Sequence, residues 1–222
     1  EFAPFEFKSL VNGKDTLVGA DIELAKAIGE KLGVKVEFSV MSFDNVLANV
    51  QSGKADIAIA GISVTDERKK VYDFSDSYYT SENVVIVKKD KVNDYTSTDS
   101  LAKQTVGTQK GSVQETVAKK QIPKASVVSL ASNGEMINEL KSGQLQAVVL
   151  EKAIAEGYIA QNDDLTLANF NLKSDGTDAY AVATRKGSDD LLKEINAVIK
   201  ETKDSGKFDQ WLKEASTYKQ SK

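Results

Sequence analysis

Sliding the chain on itself by 90 residues exposes an internal repeat. NVLANVQSGKADIAIAG, residues 45–61, lies over EMINELKSGQLQAVVLE, residues 135–151. Apolar residues coincide at Val46/Met136, Leu47/Ile137, Val50/Leu140, Ala58/Val148 and Ile59/Val149, and a Ser-Gly step coincides at 52–53 and 142–143. Each copy reads as a helix at three- and four-residue spacing, a stop at glycine, then a short apolar strand. Two copies of one helix-turn-strand unit, set far apart, constrain the chain to an α/β fold with two sheets.

Neighbouring segments extend the pattern. DIELAKAIGEKL, residues 21–32, places Ile22, Ala25, Ile28 and Leu32 on one face before Gly33, which predicts a helix. VKVEFSV, residues 34–40, alternates apolar and polar residues and predicts a strand. Phe43 to Gln51 predicts a second helix, with Ser42 as its N-cap. The helix-strand order with short connections predicts mainly parallel sheets. Extended segments at Tyr78–Ser81 and Tyr180–Thr184 flank the stretch that holds the second repeat. They predict a discontinuous first lobe, residues 1–80 and 184–222, an inserted second lobe, residues 81–183, and hinge closure about the two crossovers. The chain ends in two helices separated by Gly206.

Composition removes several classes of function. The 222 residues contain neither His nor Cys, which excludes thiol nucleophiles, imidazole acid/base chemistry, disulfides and ordinary zinc sites. The net charge of -4 is spread over interspersed acids and bases, so no basic stripe points to nucleic acid. No apolar run is long enough to span a membrane.

In an open α/β sheet, ligands bind beyond the carboxyl ends of the strands. The first repeat ends at Ala60-Gly61-Ile62-Ser63 and the second at Leu150-Glu151, so two facing sheets would line one cleft with Gly61 and Glu151. Thr65 reads as the N-cap of a helix start that carries Arg68. Only Arg68 and Arg185 stand among 27 lysines, a bias that suits a task Lys performs badly, bidentate carboxylate recognition. An exposed helix Arg paired with Asp66 or Glu67 is the plainer alternative. Residues 105–115 read as strand, tight turn at Gln109-Lys110-Gly111, and a capping box from Ser112 to Glu115. The amides of such a helix start suit an anion, although GTQKGS matches neither a P-loop nor a dinucleotide fingerprint.

FAPFEF (2–7), GADIELAKAIGEKLG (19–33), FDNVLANVQSGKADIAIAGISVTDERKKVYDFSDSYY (43–79), VGTQKGS (106–112) and RKGSDDLLKEIN resemble the polar amino-acid substrate-binding proteins of bacterial ABC importers. They are most similar to the glutamine- and basic-amino-acid branch. The resemblance implies the two-lobed periplasmic-binding-protein type II fold and an extracytoplasmic, monomeric receptor. Such a receptor binds a free polar L-amino acid in the interlobe cleft, glutamine-like ahead of arginine, and delivers it to the ABC permease subunits. It implies no cofactor, no metal and no catalysis. By the same resemblance Gly61, Ser63 and Arg68 take the ligand carboxylate with Ser112 and the backbone after Gly111. Glu151, where relatives usually carry Asp, takes the ammonium, and Phe2 and Phe43 form aromatic walls. It further implies a strand of about five to six residues ahead of FAPFEF, which residues 1–222 do not contain. A lyase of the cyclohexadienyl-dehydratase type, with Glu151 as the acid, and a sensory amino-acid-binding domain are the alternatives on the same fold.

Overall fold

A computed structural model describes residues 1–174 and 178–221. Contacts divide the chain into two units, Glu1–Thr80 with Ala179–Lys222, and Ser81–Asp178. Residues 179–183 pack with the first unit, through a β-ladder to Tyr79–Thr80 and a bridge from Tyr180 to Ser63.

The first unit opens with a hairpin of β1 (Phe7–Val11) and β2 (Lys14–Val18). Its turn residues Asn12 and Gly13 both have positive φ, 51° and 77°, as a two-residue turn that matches strand twist requires. Helix α1 (Ala20–Leu32) buries Ile22, Leu24, Ala25 and Ile28 and ends at Gly33 in the left-handed region. Helix α2 (Phe43–Gln51), β3 (Ile57–Ala58), α3 (Asp66–Lys69), β4 (Tyr72–Phe74) and β5 (Tyr79–Thr80) follow.

The second unit runs β6 (Asn83–Lys88), β7 (Thr105–Gln109), α4 (Val113–Gln121), β8 (Ser126–Leu130), α5 (Asn133–Ser142), β9 (Ala147–Glu151), α6 (Lys152–Gln161) and β10 (Leu165–Leu167). Its sheet has the order β10-β6-β9-β7-β8, parallel at β7/β8 and β7/β9 and antiparallel at the other two pairings. Val85, Ile86 and Val87 are buried in succession, as are all five residues of β9, so helices cover both faces of this sheet. Val85, Val87, Val106, Ala147 and Val149 pack with Leu101, Ala118 and Ile122 as one core.

The chain then returns to the first unit with β11 (Ala179–Tyr180), β12 (Ala183–Arg185), α7 (Asp189–Asp204) and α8 (Lys207–Ala215). There β12 is central, paired antiparallel with both β3 and β4, and α2 packs Val50 onto this sheet beside Ala58, Ile62 and Ala183.

Two expectations are corrected. Residues 34–40 form no strand, and Val34, Phe38 and Val40 are exposed. The sheet of the first unit is antiparallel throughout, where a mainly parallel sheet is predicted. Both differences have one physical cause. An alternating segment becomes a strand only beside a partner backbone, and among the described residues no strand pairs with 34–40 or with the free edge of β3. The repeat therefore yields five residues of strand at β9 and only two at β3.

Candidate functional site

In the first unit the candidate residues converge beyond the carboxyl end of β3. Gly61 has φ +58°, and a Cβ there would lie 2.5 Å from the Phe2 ring and 3.2 Å from the Tyr180 ring. Phe2 is itself buried and packs against Phe5 at 5.8 Å between ring centroids. Gly61→Ala meets both the strained φ and the ring contact, so we expect a loss of about 1–3 kcal/mol of stability in chemical denaturation. An unchanged midpoint would show that the segment relaxes freely.

Ser63 is buried, and its carbonyl accepts a 2.7 Å hydrogen bond from Arg68 Nη1. Thr65 Oγ1 accepts from the Arg68 amide at 3.1 Å, the N-cap expected for α3. The guanidinium lies 5.8 Å from the centroid of the Phe43 ring, within cation–π range. Arg68 is therefore a half-buried side chain anchored to its own loop, which limits the rotamers its N–H fork can adopt. Burial lowers its pKa, with Tyr72 acting in the opposite sense.

Behind this loop sits a group that sequence reading passed over. Asp21 is buried in the first turn of α1, and its Oδ2 accepts from the Gly61 amide at 3.2 Å. Its Oδ1 has no hydrogen-bond partner, the Tyr78 hydroxyl lying near it without hydrogen-bond geometry. Burial first, and then Glu6, push the Asp21 carboxyl up to about 8, against the pull of Tyr78 and the Gly61 amide. Burial likewise raises Glu6 to about 7. Both groups bind a proton more tightly folded than unfolded, so their contribution to stability is full below the ordinary carboxylate range and is lost as pH rises from there toward 8. Each unit of the gap corresponds to about 1.4 kcal/mol. Asp21→Asn keeps the acceptor for Gly61 and removes the charge. We expect urea denaturation to find the variant more stable than the parent at pH 8 and close to it at pH 4. Parallel pH profiles would assign the slope to other groups.

In the second unit β7 and β9 are parallel neighbours, so their carboxyl ends lie at the same sheet edge. After β7 come Lys110 and Gly111, with φ +76° at the glycine, and then Ser112, the N-cap of α4. Ser112 Oγ accepts from the Glu115 amide at 3.3 Å and donates to the Gln109 carbonyl at 2.7 Å. The Glu115 carboxylate accepts from the Gly111 amide at 3.0 Å, which completes the box one residue earlier than the usual pattern.

Glu151 ends β9 and is fully buried. Its Oε2 accepts from the amides of Ala153 at 2.8 Å and Ile154 at 3.3 Å, so the side chain turns over the first turn of α6 and caps it. A carboxylate is favoured there by the free amides and the helix dipole together. Across the β6/β9 ladder Glu151 faces Asn83, whose Oδ1 accepts from Gln114 Nε2 at 2.7 Å. One edge of this unit thus carries Ser112, Gln114, Asn83 and Glu151. Sequence reading named Ser112 and Glu151 alone. Gln114 showed only as the third residue of a capping box, and no local pattern tied Asn83 to it.

The division into two sheet-containing units agrees with comparison to known proteins. The family model of bacterial extracellular solute-binding proteins, family 3, matches residues 1–215. The chain belongs to this family. It is 34% identical over 218 residues to the arginine-binding extracellular protein ArtP of Bacillus subtilis, across 96% of this chain and 82% of that protein. The ABC transporter glutamine-binding protein GlnH of the same organism is 33% identical over 205 residues, across 88% and 73%. Among solved structures, the amino acid ABC transporter substrate-binding protein AbpA of Streptococcus pneumoniae, bound to L-arginine, is 51% identical with a TM-score of 0.94, across 97% of this chain and 90% of that one. As a family 3 solute-binding protein the chain has the type II periplasmic-binding-protein fold that its sequence resembles.

Proposed function

We propose that this protein is a receptor for a free L-amino acid, L-arginine ahead of L-glutamine, and that it hands the ligand to an ABC transporter permease outside the cytoplasm. The order reverses the expectation from sequence, because the solved relative at 51% identity holds L-arginine. The family's description as extracellular supports an extracytoplasmic site of action.

The observation that carries the reading is the anchoring of Arg68 by the Ser63 carbonyl and the Phe43 ring. A fixed guanidinium suits a planar carboxylate. In this proposal Arg68 takes the α-carboxylate with help from Ser112, and Glu151 takes the α-ammonium. Gly61 and Gly111 already donate their amides to Asp21 and Glu115, so their part is to let ligand approach the backbone closely. Phe43 and Phe2 border the apolar part of the ligand. A thermal-shift screen against the twenty common amino acids tests the reading, because ligand at 100 times its Kd stabilises by about 2.7 kcal/mol. Arginine, then glutamine, should give the largest shifts, and no shift with any amino acid would refute it. Glu151 is committed to two amides and to a cationic ligand group, which suits binding better than acid catalysis. Incubation with prephenate or arogenate should accordingly give no turnover.

A further inference from the structure

In the sheet of the second unit β9 lies between β6 and β7, and α4 starts just after β7. Val85, Val87, Ala147 and Val149 share the core face that Ala118 and Ile122 of α4 cover. Strand alternation places Asn83 and Glu151 on that same face, and the two stand directly opposite on the β6/β9 ladder. The Gln114 side chain begins on α4, beyond β7, and its Nε2 donates to Asn83 Oδ1 on β6 at 2.7 Å. It therefore crosses the end of β9, where Glu151 stands.

Gln114 is only 7% exposed, and its side chain makes no other hydrogen bond among the described residues. Its Oε1 is left without a partner, which is unusual for a side chain more than nine-tenths buried. An amide donates from one end and accepts at the other, so the bond to Asn83 decides which end is left over. Glu151 biases that choice. A carboxylate directly across the ladder attracts the Nδ2 end of the Asn83 amide and repels the Oδ1 end. Oδ1 then turns to Gln114, Nε2 is spent on it, and Oε1 remains. The charge of Glu151 thus sets the polarity of both amides.

We propose that Asn83 is a positioning residue, which holds Gln114 so that Oε1 serves as a second acceptor, beside Glu151, for the α-ammonium of the ligand. The inference rests on the receptor reading above, in which Glu151 takes that group. A primary ammonium brings three N–H donors, and Oε2 of Glu151 already accepts from the amides of Ala153 and Ile154. A second acceptor suits such a group, whereas an amide turned the other way would oppose it with its own N–H donors. The arrangement selects a primary over a secondary ammonium.

The test is a double-mutant cycle of Asn83→Ala and Gln114→Met in the full chain, titrated calorimetrically with L-arginine and with Nα-methyl-L-arginine. Met keeps the length of Gln without its donor and acceptor. Asn83→Ala should weaken L-arginine binding about five- to tenfold in the parent, and less than about twofold beside Gln114→Met, because it acts through Gln114. The Nα-methyl group removes one N–H. It should cost the parent at least about tenfold in affinity and the Gln114→Met variant less than about threefold, a difference that a purely structural role would not produce. Asn83→Val, suited to a strand, carries the same expectation should the Ala variant unfold in a urea control. Equal losses on both backgrounds, or no loss in the parent, would overturn the positioning role. An unchanged methyl penalty in Gln114→Met would overturn the second acceptor. Failure of the parent to bind any amino acid would overturn the receptor reading, and this inference with it.

Discussion

Glu151→Gln is expected to reduce affinity for the amino acid by about 2–5 kcal/mol, the range for removing one member of a buried charged pair. The substitution keeps shape and one carbonyl oxygen, so the amides of Ala153 and Ile154 retain an acceptor and α6 retains its cap. Stability should therefore change by no more than about 1 kcal/mol, the usual worth of a cap. That split separates the two parts Glu151 plays in this account. A loss of stability with unchanged affinity would make it a helix cap alone. A loss of affinity with unchanged stability is the result expected of a carboxylate that faces an ammonium.

Arg68→Lys is expected to weaken binding by roughly one to two orders of magnitude, from about 1.5–3 kcal/mol for a charge-assisted hydrogen bond that an ammonium cannot reproduce. The Arg68 side chain is bonded to Ser63 and lies against Phe43, so its replacement loses a defined orientation along with one donor. The Arg68 backbone amide still reaches Thr65, and α3 should persist. Calorimetric titration of the variant reads the loss. Affinity within threefold of the parent would mean that geometry at this position is not what holds the carboxylate, and that Arg68 acts as an ordinary surface cation.

Local patterns made some elements legible from sequence and left others hidden. The glycine after α1 and the Ser112 cap were legible because each is a contact within one turn of a helix. The Ser-Gly stops of the repeat marked the ends of α2 and α5 for the same reason. The strands were legible only where a neighbour exists. The same repeat gives β9, with partners on both edges, and the short β3, with a partner on one. Residues 34–40 carry the pattern of a strand and lack the partner that would make them one.

At the site, sequence could name Arg68 and Glu151 by charge and position. It could not show that Arg68 reaches back to Ser63, since a half-buried and an exposed helix arginine look alike in sequence. Nor could it show that Glu151 folds over α6, because the helix Lys152–Gln161 has Gly157 in its middle and no clear apolar stripe. Asp21 reads as an ordinary acid in a first helical turn, a place where acids are common. Only the fold brings it under Gly61 and away from water.

The central claim is that this chain recognises both charged groups of an amino acid. Side-by-side calorimetric titration with L-arginine and agmatine, which lacks the α-carboxylate and keeps the guanidinium, tests it most directly. The account predicts saturable binding of L-arginine and at least a hundredfold weaker binding of agmatine, since a desolvated Arg68 left without its carboxylate is costly. Equal affinity for the two would contradict it.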